Sequence, residues 1–161
     1  MGDVTVILSL GSNIEPRNAF IEKALQALSA LPATHHLRCS SVHETEPVGV
    51  PEAEREHMFL NAVVVLETSL PPPIFSTAIH AFEARLGRTR TGRHGSARTI
   101  DIDIIAFGDM ILNTPDLTLP HPHAHHRTFV LQPLAELLPD YVLPGQHQTV
   151  TQLLETIVST P

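Results

Sequence analysis

Cysteine is almost missing from this 161-residue chain, and Cys39 stands alone. A single thiol forms no internal disulfide and suits a reducing compartment. Tryptophan is absent and tyrosine occurs once, so aromatics make up only 4% of the residues. That is too few for the stacking platform of an RNA-recognition surface. Ten Lys and Arg face 17 Asp and Glu, for a net charge of −7, which argues against nonspecific binding to nucleic acid or to an anionic membrane. Lys23 is the only lysine and lies within a helical pattern, which excludes a G-x-x-x-x-G-K phosphate loop; no G-x-G-x-x-G follows the first strand-like run either. The apolar runs, VTVILSL at 4–10 and NAVVVL at 61–66, are far short of the roughly 20 residues that span a bilayer. With no charged-then-apolar leader pattern at the start, a cytoplasmic globule is expected.

The chain is 42% hydrophobic. At this length it can bury roughly 70% of its unfolded surface, so one domain over residues 1–161 is expected. Histidine is abundant at 11 and proline at 14. Nine of the ten cations are arginines, and Arg85, Arg88, Arg90, Arg93 and Arg98 crowd into one short stretch. An acidic chain that gathers half its cations in this way is aiming them at a small anion.

Residues 4–10 alternate and are β-branched, which predicts a strand ended by the turn signal Gly11-Ser12-Asn13. Ala19, Ile21, Ala24, Leu25, Leu28 and Leu31 recur at helical spacing before Pro32. Residues 36–44 predict a polar strand, 45–56 a long loop, and 58–68 a buried strand. Pro71–Pro73 can open a helix running to about Leu86. Residues 87–99 (GRTRTGRHGSART) predict a mobile loop, and 100–107 (IDIDIIAF) a cleanly alternating strand. The proline-rich 120–134 reads as irregular, followed by a short helix over about 149–158. The order β-α-β-β-α-β predicts a ferredoxin-like α+β core, an antiparallel sheet with helices on one face, plus an irregular C-terminal extension.

In the last strand Asp101 and Asp103 share a face while Ile100, Ile102 and Ile104 point into the core. Adjacent carboxylates repel unless a cation sits between them, and such oxygen pairs suit Mg²⁺ with substrate phosphates. The bland alternative is the solvated face of an amphipathic strand. Arginines leading directly into this strand favour phosphate chemistry, since guanidinium forks bind phosphate oxygens and glycines let a loop close. His121, His123, His125 and His126 have the donors for zinc or nickel. They lack an accompanying cysteine or carboxylate, and a phosphate contact by one or two of them fits better. Cys39 near His36 or His43 reads as a sheet residue. Asn61, inside FLNAVVV, must find partners for both ends of its amide; it is either a satisfied core amide or a ligand-facing group beside Phe59 and Phe129.

The segments LSLGSN at 8–13, TEPVG at 45–49, FLNAVVVLET at 59–68, FEARLGRTR at 82–90, RTIDIDIIAFG at 98–108 and LTLPHPHAHHRTFVLQPL at 117–134 stand in an order that resembles the 6-hydroxymethyl-7,8-dihydropterin pyrophosphokinase family along nearly the whole chain. That resemblance implies a ferredoxin-like core and a step of folate biosynthesis, the transfer of diphosphate from ATP to the pterin hydroxymethyl group with release of AMP. It implies that Asp101 and Asp103 hold two Mg²⁺ ions and that Arg88 and Arg98 act in catalysis. Glu83, Arg90, Arg98, Thr118, His121 and Arg127 would contact ATP. Thr45, Pro47, Val48, Phe59, Asn61 and Phe129 would contact the pterin. The expected partners are these two small molecules, with no nucleic acid and no membrane, and the expected state is a monomer. The family loop reads close to W-G-P-R, whereas this chain has Gly95-Ser96-Ala97-Arg98. The alternatives are a nucleotide-binding regulatory module on the same topology, or a paralogue acting on another pterin.

Overall fold

Strand β1 (Val4–Ser12) lies at the middle of the sheet in this computed structural model, which describes residues 2–45, 58–86 and 100–159. On one side it pairs antiparallel with β4 (Phe59–Thr68), from Val4 opposite Thr68 to Ser12 opposite Leu60. On the other it pairs with β5 (Asp101–Phe107), with Gly11 opposite Asp101. The far edge of β4 carries β2 (Thr34–Cys39) and β3 (His43–Thr45). Helix α1 (Arg17–Ser29) follows β1, and α2 (Pro72–Arg85), with proline in its first turn, follows β4. The order β2-β4-β1-β5 with these two crossover helices is the ferredoxin-like arrangement anticipated from the sequence.

The two faces of the sheet are covered differently. Val6, Leu8, Leu10, Val64, Leu66, Ile102 and Ile104 pack against Ile21, Ala24 and Leu28 of α1 and Phe75, Ile79 and Phe82 of α2. Ile7, Val63, Val65, Ile105 and Ala106 face the other way, toward a C-terminal layer. That layer includes the terminal helix expected over about 149–158, and it corrects the reading of 120–134 as irregular. A small ribbon of β6 (Leu112–Asn113) and β7 (Thr118–Leu119) leads through a 3₁₀ turn (Ala124–His126) into α3 (Thr128–Leu137) and α4 (Val150–Ser159). Pro133 lies inside α3 and hides the helix from a sequence reading. An internal proline costs a helix about 3 kcal/mol. Burial of Val130, Leu131 and Leu134, at roughly 1.5–3 kcal/mol each, outweighs it.

Bulges set which side chains reach which face. Leu8 opposes Ile104 and Ile7 opposes Ala106, so Ile105 is an extra residue in β5. The bulge turns both Ile105 and Ala106 to the α3 side and returns Phe107 to the α2 side, where its ring meets Phe75 edge to face at 5.7 Å. A second irregularity divides the single strand expected over 36–44 into β2 and β3, with Ser40–Val42 between them.

Candidate active site

Among the described residues, helices α3 and α4 cover the apolar half of their face of the sheet. Continuing the same alternation along each strand, the other half carries Ser9 and Gly11 of β1, Phe59 and Asn61 of β4, and Asp101 and Asp103 of β5. Gly11 is flanked by Asn61 and Asp101, and Ser9 by Val63 and Asp103. A row Asn61–Gly11–Asp101 therefore crosses three strands, about 10 Å from end to end at the usual strand spacing. A Cβ on Gly11 would stand 3.2 Å from Asn61 Oδ1 and 3.5 Å from the Phe59 ring, so the absence of a side chain is what lets the amide lie against β1. Gly11 and Ser12 carry a turn signal in the sequence, but both are buried strand residues.

Asn61 is buried, and its Nδ2 donates to Thr45 Oγ1 across the β3–β4 pair. Phe59 is half-buried opposite Thr45. Beside β5, the backbone N–H of His121 donates to the carbonyl of the bulged Ile105 at 2.8 Å. The backbone N–H of His123 donates to His121 Nδ1 at 3.2 Å, which leaves the ring proton on Nε2. Burial, followed by the charges of Arg127 and His123, pushes the His121 pKa down to about 4 against the opposing pull of Asp101. His121 is thus a neutral N–H donor near neutral pH. The Arg127 guanidinium lies over the Phe129 ring, 5.5 Å from its centroid. Asp101, Asp103, Thr118, His121, Arg127 and Phe129 are all partly exposed.

Two carboxylates on one face are hard oxygen donors of the kind that hold Mg²⁺ together with phosphate oxygens, so the donor set fits that ion. The histidine run behaves differently. His123 Nδ1 and His126 Nε2 lie 3.1 Å apart, yet no group of three or more His, Cys, Asp or Glu among the described residues is arranged to hold a metal. Burial pushes the Cys39 thiol pKa up, in keeping with a sheet residue rather than a thiolate.

Glu83 is not on the open face. It is buried under β5, where Oε2 accepts from the backbone N–H of Ile102 at 2.9 Å. Arg88, Arg90, Arg93 and Arg98, and also Pro47 and Val48, lie outside the described residues. The sequence reading missed Gly11, whose signal is its register opposite Asn61. It also missed Glu136 of α3, which binds Ser41 and His43, and Arg17, which binds Glu44 and the Met58 carbonyl. No spacing rule links such distant positions.

Fold and polar face together define a ferredoxin-like α+β protein that sets a buried amide and paired carboxylates on half of one sheet face, with a neutral imidazole beside the edge strand β5 and a guanidinium near that imidazole. The model of the family 7,8-dihydro-6-hydroxymethylpterin-pyrophosphokinase matches residues 7–139, and the chain belongs to that family, whose members are transferases of phosphorus-containing groups. A relative from Pseudomonas aeruginosa, a 2-amino-4-hydroxy-6-hydroxymethyldihydropteridine pyrophosphokinase, is 42% identical over 88% of this chain and 86% of its own. Relatives of the same name from Haemophilus influenzae and Synechocystis are each 36% identical, over 94% of this chain and over 92% and 75% of theirs. Among solved structures, the wild-type HPPK-DHPS of Plasmodium falciparum superposes with a TM-score of 0.75 at 16% identity over 98% of this chain. The likeness is one of fold, and this chain spans 45% of that longer one. No helix among the described residues is long and apolar enough to cross a membrane.

Proposed function

We propose that this chain transfers the β,γ-diphosphoryl group of ATP to the hydroxymethyl oxygen of 6-hydroxymethyl-7,8-dihydropterin. The products are AMP and the pterin diphosphate, a step of folate biosynthesis. The observation that supports the reading is the row Asn61–Gly11–Asp101, an amide and a carboxylate on one face.

Asn61 is the pterin contact. With Nδ2 anchored on Thr45, its second N–H and its carbonyl oxygen can bond the edge of a heterocycle. Thr45, Pro47 and Val48 complete that polar edge, and Phe59 and Phe129 supply ring faces. Asp101 and Asp103 would hold magnesium, two ions in this reading. Magnesium held there would supply charge neutralisation for the phosphates. His121 offers Nε2–H to a phosphate oxygen, Arg127 adds fixed positive charge, and Thr118 and Arg90 contribute further contacts. Glu83 supports the nucleotide side from beneath β5. Arg88 and Arg98 stabilise phosphoryl charge and help to exclude water. Phosphoryl transfer needs positioning and charge neutralisation more than a strong base. The chain acts as a monomeric, single-domain cytoplasmic enzyme.

Incubation of the purified protein with Mg-ATP and 6-hydroxymethyl-7,8-dihydropterin tests the proposal, with products identified by mass. AMP and pterin diphosphate should form in equal amounts. Intact ATP in the presence of tight nucleotide binding would instead mark a binding module.

A further inference from the structure

Among the described residues, strand β3 has three residues and one partner strand, too little pairing to hold its own register. Yet Thr45 at its end carries the hydroxyl that engages Asn61. The answer lies in the break that precedes β3. Ser40 still belongs to the ladder, its N–H donating to the Val63 carbonyl and its Oγ accepting from the Val63 N–H, both at 2.9 Å. His43 opposes Asn61, so Ser41 and Val42 together oppose Ala62. This bulge changes the parity of the strand. Without the extra residue, His43 and Thr45 would face the α1–α2 layer, and Asn61 would lose its partner.

A bulge leaves its extra residue outside the ladder, and Glu136 of α3 captures that residue. The carboxylate accepts the Ser41 N–H at 2.9 Å and the Ser41 hydroxyl at 2.7 Å, and Nε2–H of His43 at 2.5 Å. The Ser41 backbone N–H and hydroxyl, with His43, hold the Glu136 carboxyl pKa down to about 2, so the clamp is an anion at any working pH. A second clamp acts from the opposite layer. Arg17 bonds Glu44 and the Met58 carbonyl, both at 2.9 Å, and so keeps β3 beside β4 independently of α3.

We propose that Glu136 is a positioning residue for the heterocycle subsite, acting through Ser41 and His43 to fix the bulge that turns Thr45 toward the Asn61 amide. This rests on the pterin reading given above. Glu136 itself touches no substrate; Asn61 does.

The test compares Glu136→Ala and Glu136→Gln in the full chain, reading KM for the pterin, KM for Mg-ATP, the unfolding midpoint and the side-chain amide resonance of Asn61. Glu136→Ala should raise the pterin KM roughly tenfold, leave the Mg-ATP KM within about twofold, and shift the Asn61 resonance. Glu136→Gln retains an acceptor for the Ser41 N–H and should recover most of both effects at an unchanged unfolding midpoint. An unmoved pterin KM and Asn61 resonance in the alanine variant overturns the proposal. So does a parallel rise of both KM values that glutamine does not rescue, since that marks general loosening. Should the wild-type chain not turn over the pterin, the proposed function fails, and the Asn61 resonance alone decides on Glu136: moved supports the coupling, unmoved overturns it.

Discussion

Glu83 on α2 grips the peptide between the two aspartates of β5, its Oε2 accepting from the Ile102 N–H at 2.9 Å. β5 is an edge strand, and an edge strand holds every second backbone N–H without a strand neighbour. Filling that position from a buried carboxylate fixes the segment on which Asp101 and Asp103 are mounted. A buried N–H stripped of its acceptor costs about 1–3 kcal/mol. Glu83→Ala should therefore lower unfolding free energy in urea by about 2 kcal/mol, with Glu83→Gln recovering part of it. A loss below about 0.5 kcal/mol, the usual size of a surface effect, would show that the contact does not hold the strand.

Gly11 makes a different demand, because it separates the two ends of the open face. A methyl group there meets Asn61 Oδ1 at 3.2 Å, a contact the amide can relieve only by shifting or turning. Gly11→Ala should weaken pterin binding by about tenfold and cost about 1–2 kcal/mol in stability through overpacking, while Mg-ATP affinity stays within about twofold. Titration of each ligand separately checks this. Equal losses for both ligands would place the strain in the sheet as a whole.

His121 yields a pH dependence of definite sign. Its pKa falls from 6.5 to about 4 in the folded chain, first because it is buried and then because Arg127 and His123 lie near. Between those values the unfolded chain binds a proton that the folded chain does not, so stability drops as pH falls from about 6.5 toward 4. Removing the imidazole removes that contribution. The unfolding midpoint of the wild-type chain should decline faster across this window than that of His121→Gln, and the two curves should run parallel above pH 7. Curves parallel throughout would mean that His121 titrates normally.

The core sheet was legible because its signals are local. Alternation in 4–10 and 100–107 and the apolar period of α1 each lie within one element, and their order gave the topology. Asp101 and Asp103 were legible for the same reason, since period two places i and i+2 on one face. Of the C-terminal layer, α4 was legible and α3 was not. Pro133 broke the helical signature of α3, and only tertiary burial of Val130, Leu131 and Leu134 restores it. The bulges at Ile105 and at Ser41–Val42 leave no mark in composition, yet they decide that Ile105 faces α3 and Thr45 faces Asn61. Glu136 and Ser41 lie 95 positions apart, so no pattern could join them.

The paired carboxylates remain the strongest test of the site as a whole. Asp101 and Asp103 stand two residues apart on β5, opposite Gly11 and Ser9, where neither carries the hydrophobic core. Their replacement should leave the fold intact, and the unfolding midpoints of Asp101→Asn and Asp103→Asn should stay close to that of the wild-type chain. In the proposed metal role, loss of either charge would remove several kcal/mol of transition-state stabilisation, and about 4 kcal/mol corresponds to a thousandfold in rate. Each variant should therefore lose at least about a thousandfold in kcat and bind Mg-ATP more weakly, whereas affinity for the pterin alone, measured without nucleotide, should be retained. Asparagine keeps the shape of the side chain and removes only the charge, so a near-normal rate in both variants would exclude these carboxylates as metal ligands and leave them the solvated face of an edge strand.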